Sequence, residues 1–230
     1  MKVFASGSCR IVSLVHDGWD LINPIHSWIG YYDSINYLSF YHNSKQHIQF
    51  IKYIKNLIDI PDDCINNIMI GGNEELDNMR KERISNLRNE FNSCDVYIFE
   101  ICSLKIKKIN DFYINLKDNN SKYDYIQTNE ELYNDLSILR KLINIDKKII
   151  FVSHFRPNLI YNDESKKIIS REIIFNTIKQ FCENNIDLNV LYYDPSNFIN
   201  SHINYLSDNY HYNEKYIKES FENLYYNYMK

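Results

Sequence analysis

Four short apolar runs punctuate the chain: Lys2–Ser6, Val96–Ile101, Lys148–Ser153 and Leu188–Tyr193. Each has the length of a strand, and none alternates strictly with polar residues, which is the pattern of strands covered on both faces. Between them, hydrophobic positions recur at helical spacing. Ser44 is a candidate cap for a helix carrying Ile48, Ile51, Ile54, Leu57 and Ile58 on one face. Asn73 is a candidate cap for another, running to about Asn92 with Leu76, Met79, Ile84, Leu87 and Phe91 inward. Thr128 followed by Glu131 has capping-box spacing and opens a helix with Leu132, Leu136, Leu139 and Leu142. Ser165–Glu183 and Glu214–Tyr228 read as long helices. This alternation predicts an α/β fold: a parallel sheet of about four to five strands in three α/β/α layers.

The stretch 104–127 breaks the alternation. Ile106, Ile109, Phe112, Ile114 and the turn-like Asp118-Asn119-Asn120-Ser121 suggest an inserted hairpin or irregular excursion. Neither an internal repeat nor a Pro/Gly/Ser-rich linker is present, so residues 1–230 are expected to form one domain.

Composition narrows the function classes. The chain has 230 residues, 44% hydrophobic and 24% charged, too apolar for a disordered chain. A net charge of -4 argues against a nucleic-acid partner. No apolar run approaches the ~18 residues that span a bilayer, so no membrane partner is expected. The N-terminus lacks the apolar core of a secretory signal, and five Cys without framework spacing fit a reducing compartment, which together predict a cytoplasmic protein. No Cys-x-x-Cys, His-x-x-x-His or His-x-His pattern occurs, so no metal is expected, and with only five Gly there is no phosphate-cradling loop.

Candidate chemistry gathers where the strands end. In open parallel sheets, ligands bind at the carboxyl ends of the strands. Those ends are followed by Gly7-Ser8-Cys9-Arg10, by Cys102-Ser103, by His154-Phe155-Arg156 and by Asp194-Pro195-Ser196. The first is a strand, a Gly turn, a small nucleophile and then the apolar helix pattern Ile11, Val12, Leu14 and Val15. A thiol there sits at a helix N-terminus, where the dipole favours a thiolate. The alternative is a plain strand-to-helix turn with a capping Ser. Near the other end, Asp208-Asn209-Tyr210-His211 puts a carboxylate three residues before an imidazole. That spacing lets the Asp orient the ring for a nucleophile, or it is an ordinary solvated loop. Arg10 either binds a substrate anion and lowers the thiol pKa or makes a surface ion pair. His154 and Arg156 either line a pocket or serve the following helix. The remaining histidines, His42 and His47 among them, read as structural or exposed, with His26 in a long loop.

Taken together, Gly7-Ser8-Cys9 and Asp208-x-x-His211 resemble the SGNH/GDSL hydrolase superfamily, with Cys9 at the nucleophile position and Ser8 at the Asp position. Gly-Ser-Cys, with Val190-Leu191-Tyr192-Tyr193-Asp194-Pro195-Ser196, is most similar to the GSCFA-type branch. A comparable motif occurs in capsule-polysaccharide acyltransferase-like proteins of the WcbI type. The resemblance implies a flavodoxin-like sheet and a Cys9–His211–Asp208 triad acting on esters, carbohydrate O-acyl groups among them. It implies no cofactor beyond an acyl donor such as acyl-CoA for a transferase. It also implies oxyanion donors: the backbone N–H of Cys9, a Gly such as Gly30, and a third-block Asn after the second strand. No Asn stands near Glu100-Ile101-Cys102-Ser103, which leaves Ser103 as a candidate replacement. Losing one such donor typically costs ~10²–10³ in rate. Ser8 is the rival nucleophile. A thiol hydrolase of thioesters or isopeptides, and a non-catalytic carbohydrate-binding module on a degenerate version of this fold, are the competing functions.

Overall fold

The apolar runs pair as strands in the computed structural model. It describes residues 1–8, 10–11, 14–15, 28–29, 41–61, 85, 87–114, 122–156, 165–200, 205 and 211–230, with 28–29 and 165–168 as backbone only. In chain order the strands are β1 (Val3–Ser6), β2 (Trp28–Ile29), β3 (Val96–Ile101), the short β4 (Lys105–Ile106), β5 (Lys108–Ile109), β6 (Phe112–Tyr113) and β7 (Tyr125–Ile126), then β8 (Lys148–Ser153) and β9 (Val190–Tyr193). The main sheet has the order β2-β1-β3-β8-β9, and every neighbouring pair is parallel. Helices cover both faces, giving the expected three-layer α/β fold.

Burial on both faces explains the unbroken apolar runs, since every residue of β1 and β3 is buried. Alternate side chains serve two cores. Phe4, Tyr97, Phe99 and Phe151 face α1 (Ser44–Ile54), α2 (Asn129–Lys141) and α3 (Ser165–Asn184), which supply Ile51, Leu132, Leu136, Leu139, Ile174 and Phe181. Val3, Ala5, Val96, Ile98, Ile150 and Val152 face the other way. They meet Ile11, Leu14 and Val15 after β1, the short α4 (Ser196–Ile199) lies beyond the end of β9, and α5 (Ile217–Leu224) brings Ile217, Phe221 and Leu224. Burying one such side chain stabilises by roughly 1.5–3 kcal/mol, so the two sheet faces carry most of the stability.

Several boundaries differ from expectation, each for a local reason. The cap of α1 is Asn43, whose side chain accepts from the Gln46 N–H while Gln46 reaches back to its backbone. Ser44 is the first helical residue instead, and its hydroxyl is taken by buried Asp135 at 2.7 Å. The helix stops before Leu57, which is 58% exposed. Asn56 takes a left-handed φ of 55, and Leu57 N–H to Lys52 O with Asn56 N–H to Tyr53 O close a Schellman end. β9 starts at Val190 rather than Leu188, because a 3₁₀ turn Ile186–Leu188 and left-handed Asn189 precede it. The last helix changes character along its length, from 3₁₀ (Glu214–Tyr216) through α5 to a π turn (Tyr225–Met229). The helix expected from Asn73 lies mostly outside the described residues; within them, Leu87 and Phe91 are buried as expected.

The excursion is a nested hairpin. β5 and β6 pair antiparallel across Asn110-Asp111, with Asn110 at φ 53, and β4 pairs antiparallel with β7 around them. The expected turn at 118–121 lies outside the described residues. Gln127 N–H donates to Leu104 O at 2.8 Å, so the excursion closes where it opens. At the opposite edge of the sheet, buried Arg140 donates to the carbonyls of Lys147, Leu188, Ile143 and Asn144, tying α2 to the entries of β8 and β9. Among the described residues no helix is long and apolar enough to cross a membrane.

The capping box of α2 is intact, with Glu131 N–H to Thr128 Oγ1 at 3.2 Å and Thr128 N–H to Glu131 Oε2 at 2.8 Å. Thr128→Ala is expected to lower the unfolding free energy by about 1 kcal/mol. Urea unfolding would show this as a lower midpoint at unchanged slope, and Thr128→Ser would restore it.

Candidate active site

Strand order fixes where a site forms. From β1 the chain goes to one side for β2, then returns to the other side for β3. The crevice between the carboxyl ends of β1 and β3 is therefore the topological switch point, the place where open α/β sheets bind ligands. Because the strands are parallel, the residues following β1, β3, β8 and β9 share one edge.

A buried carboxylate occupies that crevice. Glu100 is the single charged residue of β3 and is 2% exposed. Its Oε2 accepts the Ser8 N–H at 2.8 Å and the Ser8 hydroxyl; its Oε1 accepts Arg10 Nε–H at 3.0 Å. The Ser8 oxygen in turn accepts the Arg10 N–H at 3.3 Å, which caps the first helical turn. Both functions of the Ser8 hydroxyl are thus in use, and its residue is 1% exposed. Burial disfavours the Glu100 charge, but Arg10 and the Ser8 hydrogen bonds outweigh it and hold the carboxyl below its usual range. Gly7 permits this closeness. A Cβ there would stand 2.6 Å from Glu100 Cβ and would collide with Ile11 Cγ2 as well.

Imidazoles surround the carboxylate. His47, on α1, has one ring nitrogen 2.8 Å from the Glu100 carbonyl and the other 3.1 Å from Ser6 Oγ. A carbonyl only accepts, so Nε2 carries the proton and Nδ1 accepts from the Ser6 hydroxyl. Burial lowers the His47 pKa to about 4. His42 lies on the segment that bridges the two strand ends. Tyr41 N–H donates to Gly7 O at 3.2 Å, and the His42 carbonyl accepts Cys102 N–H at 2.9 Å and Ser103 N–H at 2.8 Å. Burial and then the charge of Arg10 lower the His42 pKa to about 4, against a smaller opposing effect of Glu100. The His42 ring has no hydrogen-bond partner among the described residues. Buried His154 donates from Nδ1 to the Phe155 carbonyl at 3.0 Å, and burial with the cations Arg10 and Arg171 pushes its pKa well down.

Phe155 links the two ends of the chain. The Arg10 and Arg171 guanidinium groups each lie 5.9 Å from its ring centre. The Tyr212 ring stands edge-on to it at 5.8 Å, and burial, with Glu100 next, raises the Tyr212 pKa. His211, exposed, immediately precedes Tyr212. Arg156, by contrast, is committed to the β8–β9 end: it pairs with Asp194 and Glu172 and lies 3.8 Å over the Phe175 ring. Ser103 uses its N–H on His42 and its Oγ to accept Lys105 N–H at 3.1 Å. Cys9, Asp208 and Gly30 lie outside the described residues. Ser8, Arg10, His154 and, through Tyr212, the neighbourhood of His211 do converge. Glu100, His42, His47 and Tyr212 were missed from sequence. For Glu100 a signal existed, because a lone carboxylate in a doubly covered strand must find a buried partner. For His42 none did, since its place depends on the loop that precedes α1.

A separate cleft of about 470 Å³ lies between α1, α2 and the excursion, lined by Lys45, Gln49, Lys52, Tyr113 and Asp135. Among the described residues no group of three His, Cys, Asp or Glu is arranged to hold a metal ion.

The buried charges make stability depend on pH with one sign. Neutral in the fold down to about 4, His47 takes up a proton in the unfolded chain below about 6.5. Stability therefore falls as pH drops through that window. Glu100, depressed in the fold, contributes fully above its unfolded value and loses its contribution at lower pH still. Urea unfolding at pH 7 and pH 5 is expected to differ by about 2 kcal/mol from His47 alone, and His47→Gln should reduce the difference by about that amount, leaving the part due to His42 and His154. Glu100→Gln, which strands the Arg10 charge, is expected to cost about 3–5 kcal/mol at pH 7.

The family described as "TviD N-terminal domain" matches residues 1–125, a span containing Gly7–Arg10, His42 and Glu100 and ending before Asp208 and His211. No curated protein matches the sequence. Among solved structures, a "putative acylhydrolase" from Bacteroides fragilis NCTC 9343 is similar over 97% of this chain and 83% of its own, at 14% identity and a TM-score of 0.50. A catalytic mutant of an acetylxylan esterase from Geobacillus stearothermophilus is similar over 96% of this chain and 92% of its own, at 13% identity and a TM-score of 0.46. The first likeness extends from end to end and agrees with the α/β architecture described above. With 125 of its 230 residues matched, the chain belongs to the TviD N-terminal domain family.

Proposed function

We propose that this protein is an SGNH-like acyl-transfer enzyme that cleaves ester-linked acyl groups, carbohydrate O-acyl groups among them, with a Cys9–His211–Asp208 triad of the GSCFA or WcbI kind. The observation that carries the reading is the aromatic bridge at Phe155. It brings Arg10, the residue after Cys9, and Tyr212, the residue after His211, against one ring. Neighbours of two blocks some 200 positions apart in the chain thereby share one ring, which supports pairing the blocks. The fold of the acylhydrolase relative is consistent with this.

Ser8 argues for Cys9 as nucleophile. Its hydroxyl proton goes to an ionised, buried carboxylate whose depressed pKa makes it a poor base, and its oxygen caps the first turn. A thiol next in sequence to that cap and to Arg10 would have a helix start and a guanidinium for neighbours, both of which favour a thiolate. His211 takes the Cys9 proton while Asp208 orients the ring. The thiolate adds to the ester carbonyl, the C–O bond breaks, and the alcohol leaves with the proton from His211. Water, or an acceptor hydroxyl in a transferase, gives its proton to His211 and attacks the thioester, which frees the acyl group and restores Cys9.

Iodoacetamide alkylation with mass-spectrometric localisation tests the pair. Cys9 is expected to react well below the free-thiol pKa of ~8.5, and His211→Ala to abolish that reactivity. A Cys9 that titrates as an ordinary thiol, indifferent to His211, would sink the thiol mechanism and favour a binding module.

A further inference from the structure

We infer that His42 is a catalytic residue, donating a ring N–H to the oxyanion formed when the acyl carbonyl is attacked. The inference rests on the acyl-transfer reading above and assigns the donor that the region after β3 lacks. The His42 backbone is pinned across the crevice mouth. Its neighbour Tyr41 donates to the carbonyl of Gly7, two residues before Cys9, and its own carbonyl holds the N–H groups of Cys102 and Ser103. The residue thus bridges the end of β1 and the end of β3, and its imidazole is close enough to Arg10 and Glu100 to feel both charges.

Its chemistry suits the task. Burial and the Arg10 cation keep the ring neutral at physiological pH, so it carries one N–H and does not compete with His211 for a proton. A neutral imidazole N–H aimed at developing negative charge stabilises the transition state more than the ground state. Three other donors around the crevice are engaged. His47 gives its N–H to the Glu100 carbonyl, His154 gives Nδ1–H to the Phe155 carbonyl, and Ser103 N–H goes to His42 itself. The His42 ring has no hydrogen-bond partner among the described residues.

Hydrolysis of p-nitrophenyl acetate by the full chain provides the test, with thermal melting to confirm folding. His42→Ala is expected to lower kcat by about 10²–10³ with KM little changed. His42→Gln or His42→Asn, each keeping an N–H, should recover part of that loss. The pH profile of Cys9 alkylation should stay as in the wild type, because forming the thiolate needs no oxyanion donor. Wild-type turnover in the folded His42→Ala protein overturns the inference, as does a loss that neither amide variant recovers. So does a loss of that size in Tyr212→Phe but not in His42→Ala, which would make the phenol the donor. In each of those cases turnover that Cys9→Ala abolishes leaves the acyl-transfer reading standing. Turnover indifferent to Cys9→Ala, or none in the wild type, overturns that reading and this inference with it.

Discussion

A carboxylate buried between two strands is the constraint around which this molecule is arranged. Taking Glu100 and Arg10 out of water costs several kcal/mol per ion, and their attraction alone need not offset it. Charge-assisted hydrogen bonds make up the difference, and here one carboxylate collects three, from Ser8 N–H, Ser8 Oγ and Arg10 Nε. Each donor belongs to the turn after β1. The pair therefore does more than neutralise a charge: it sets how closely that turn approaches β3, and Gly7 is the residue that allows it.

The same strand position organises the opposite face. While the Glu100 side chain holds the turn, its carbonyl fixes the tautomer of His47, which accepts from Ser6 at the end of β1. Strands β1 and β3 are thus joined beyond their ladder by polar groups above and below the sheet. Three imidazoles held neutral and two guanidinium groups share this small region with one carboxylate. A site of that composition offers hydrogen bonds of fixed direction together with a positive field, without a mobile proton on any of the three rings.

Much of the fold was legible in the sequence because doubly buried strands and amphipathic helices obey simple periodicities. β3 and β8 fall at their expected residues, and the Thr128–Glu131 box caps α2 as its spacing requires. Boundaries set by single left-handed residues were not legible: Asn56, Asn110 and Asn189 each end or turn an element, yet Asn is common throughout this chain. The site was half legible. Gly7-Ser8 and Arg10 announced themselves by following a strand, whereas Glu100, an odd charge in an apolar run, was a signal not taken up. Its partnership with Arg10, and the presence of His42 in the crevice, depend on contacts between segments 30 to 90 residues apart, which no local pattern encodes.

The excursion after β3 has a different kind of consequence. Its first and last residues are hydrogen-bonded to each other, so the chain leaves the sheet and rejoins it at nearly one point. Whatever length of chain is placed between them, the route from β3 to α2 is the same. Such a segment can lengthen, shorten or be exchanged over evolutionary time without disturbing the strand order, because closing a longer surface loop costs little additional entropy. The frame that holds Glu100 and the appendage beside it are therefore free to diverge at different rates.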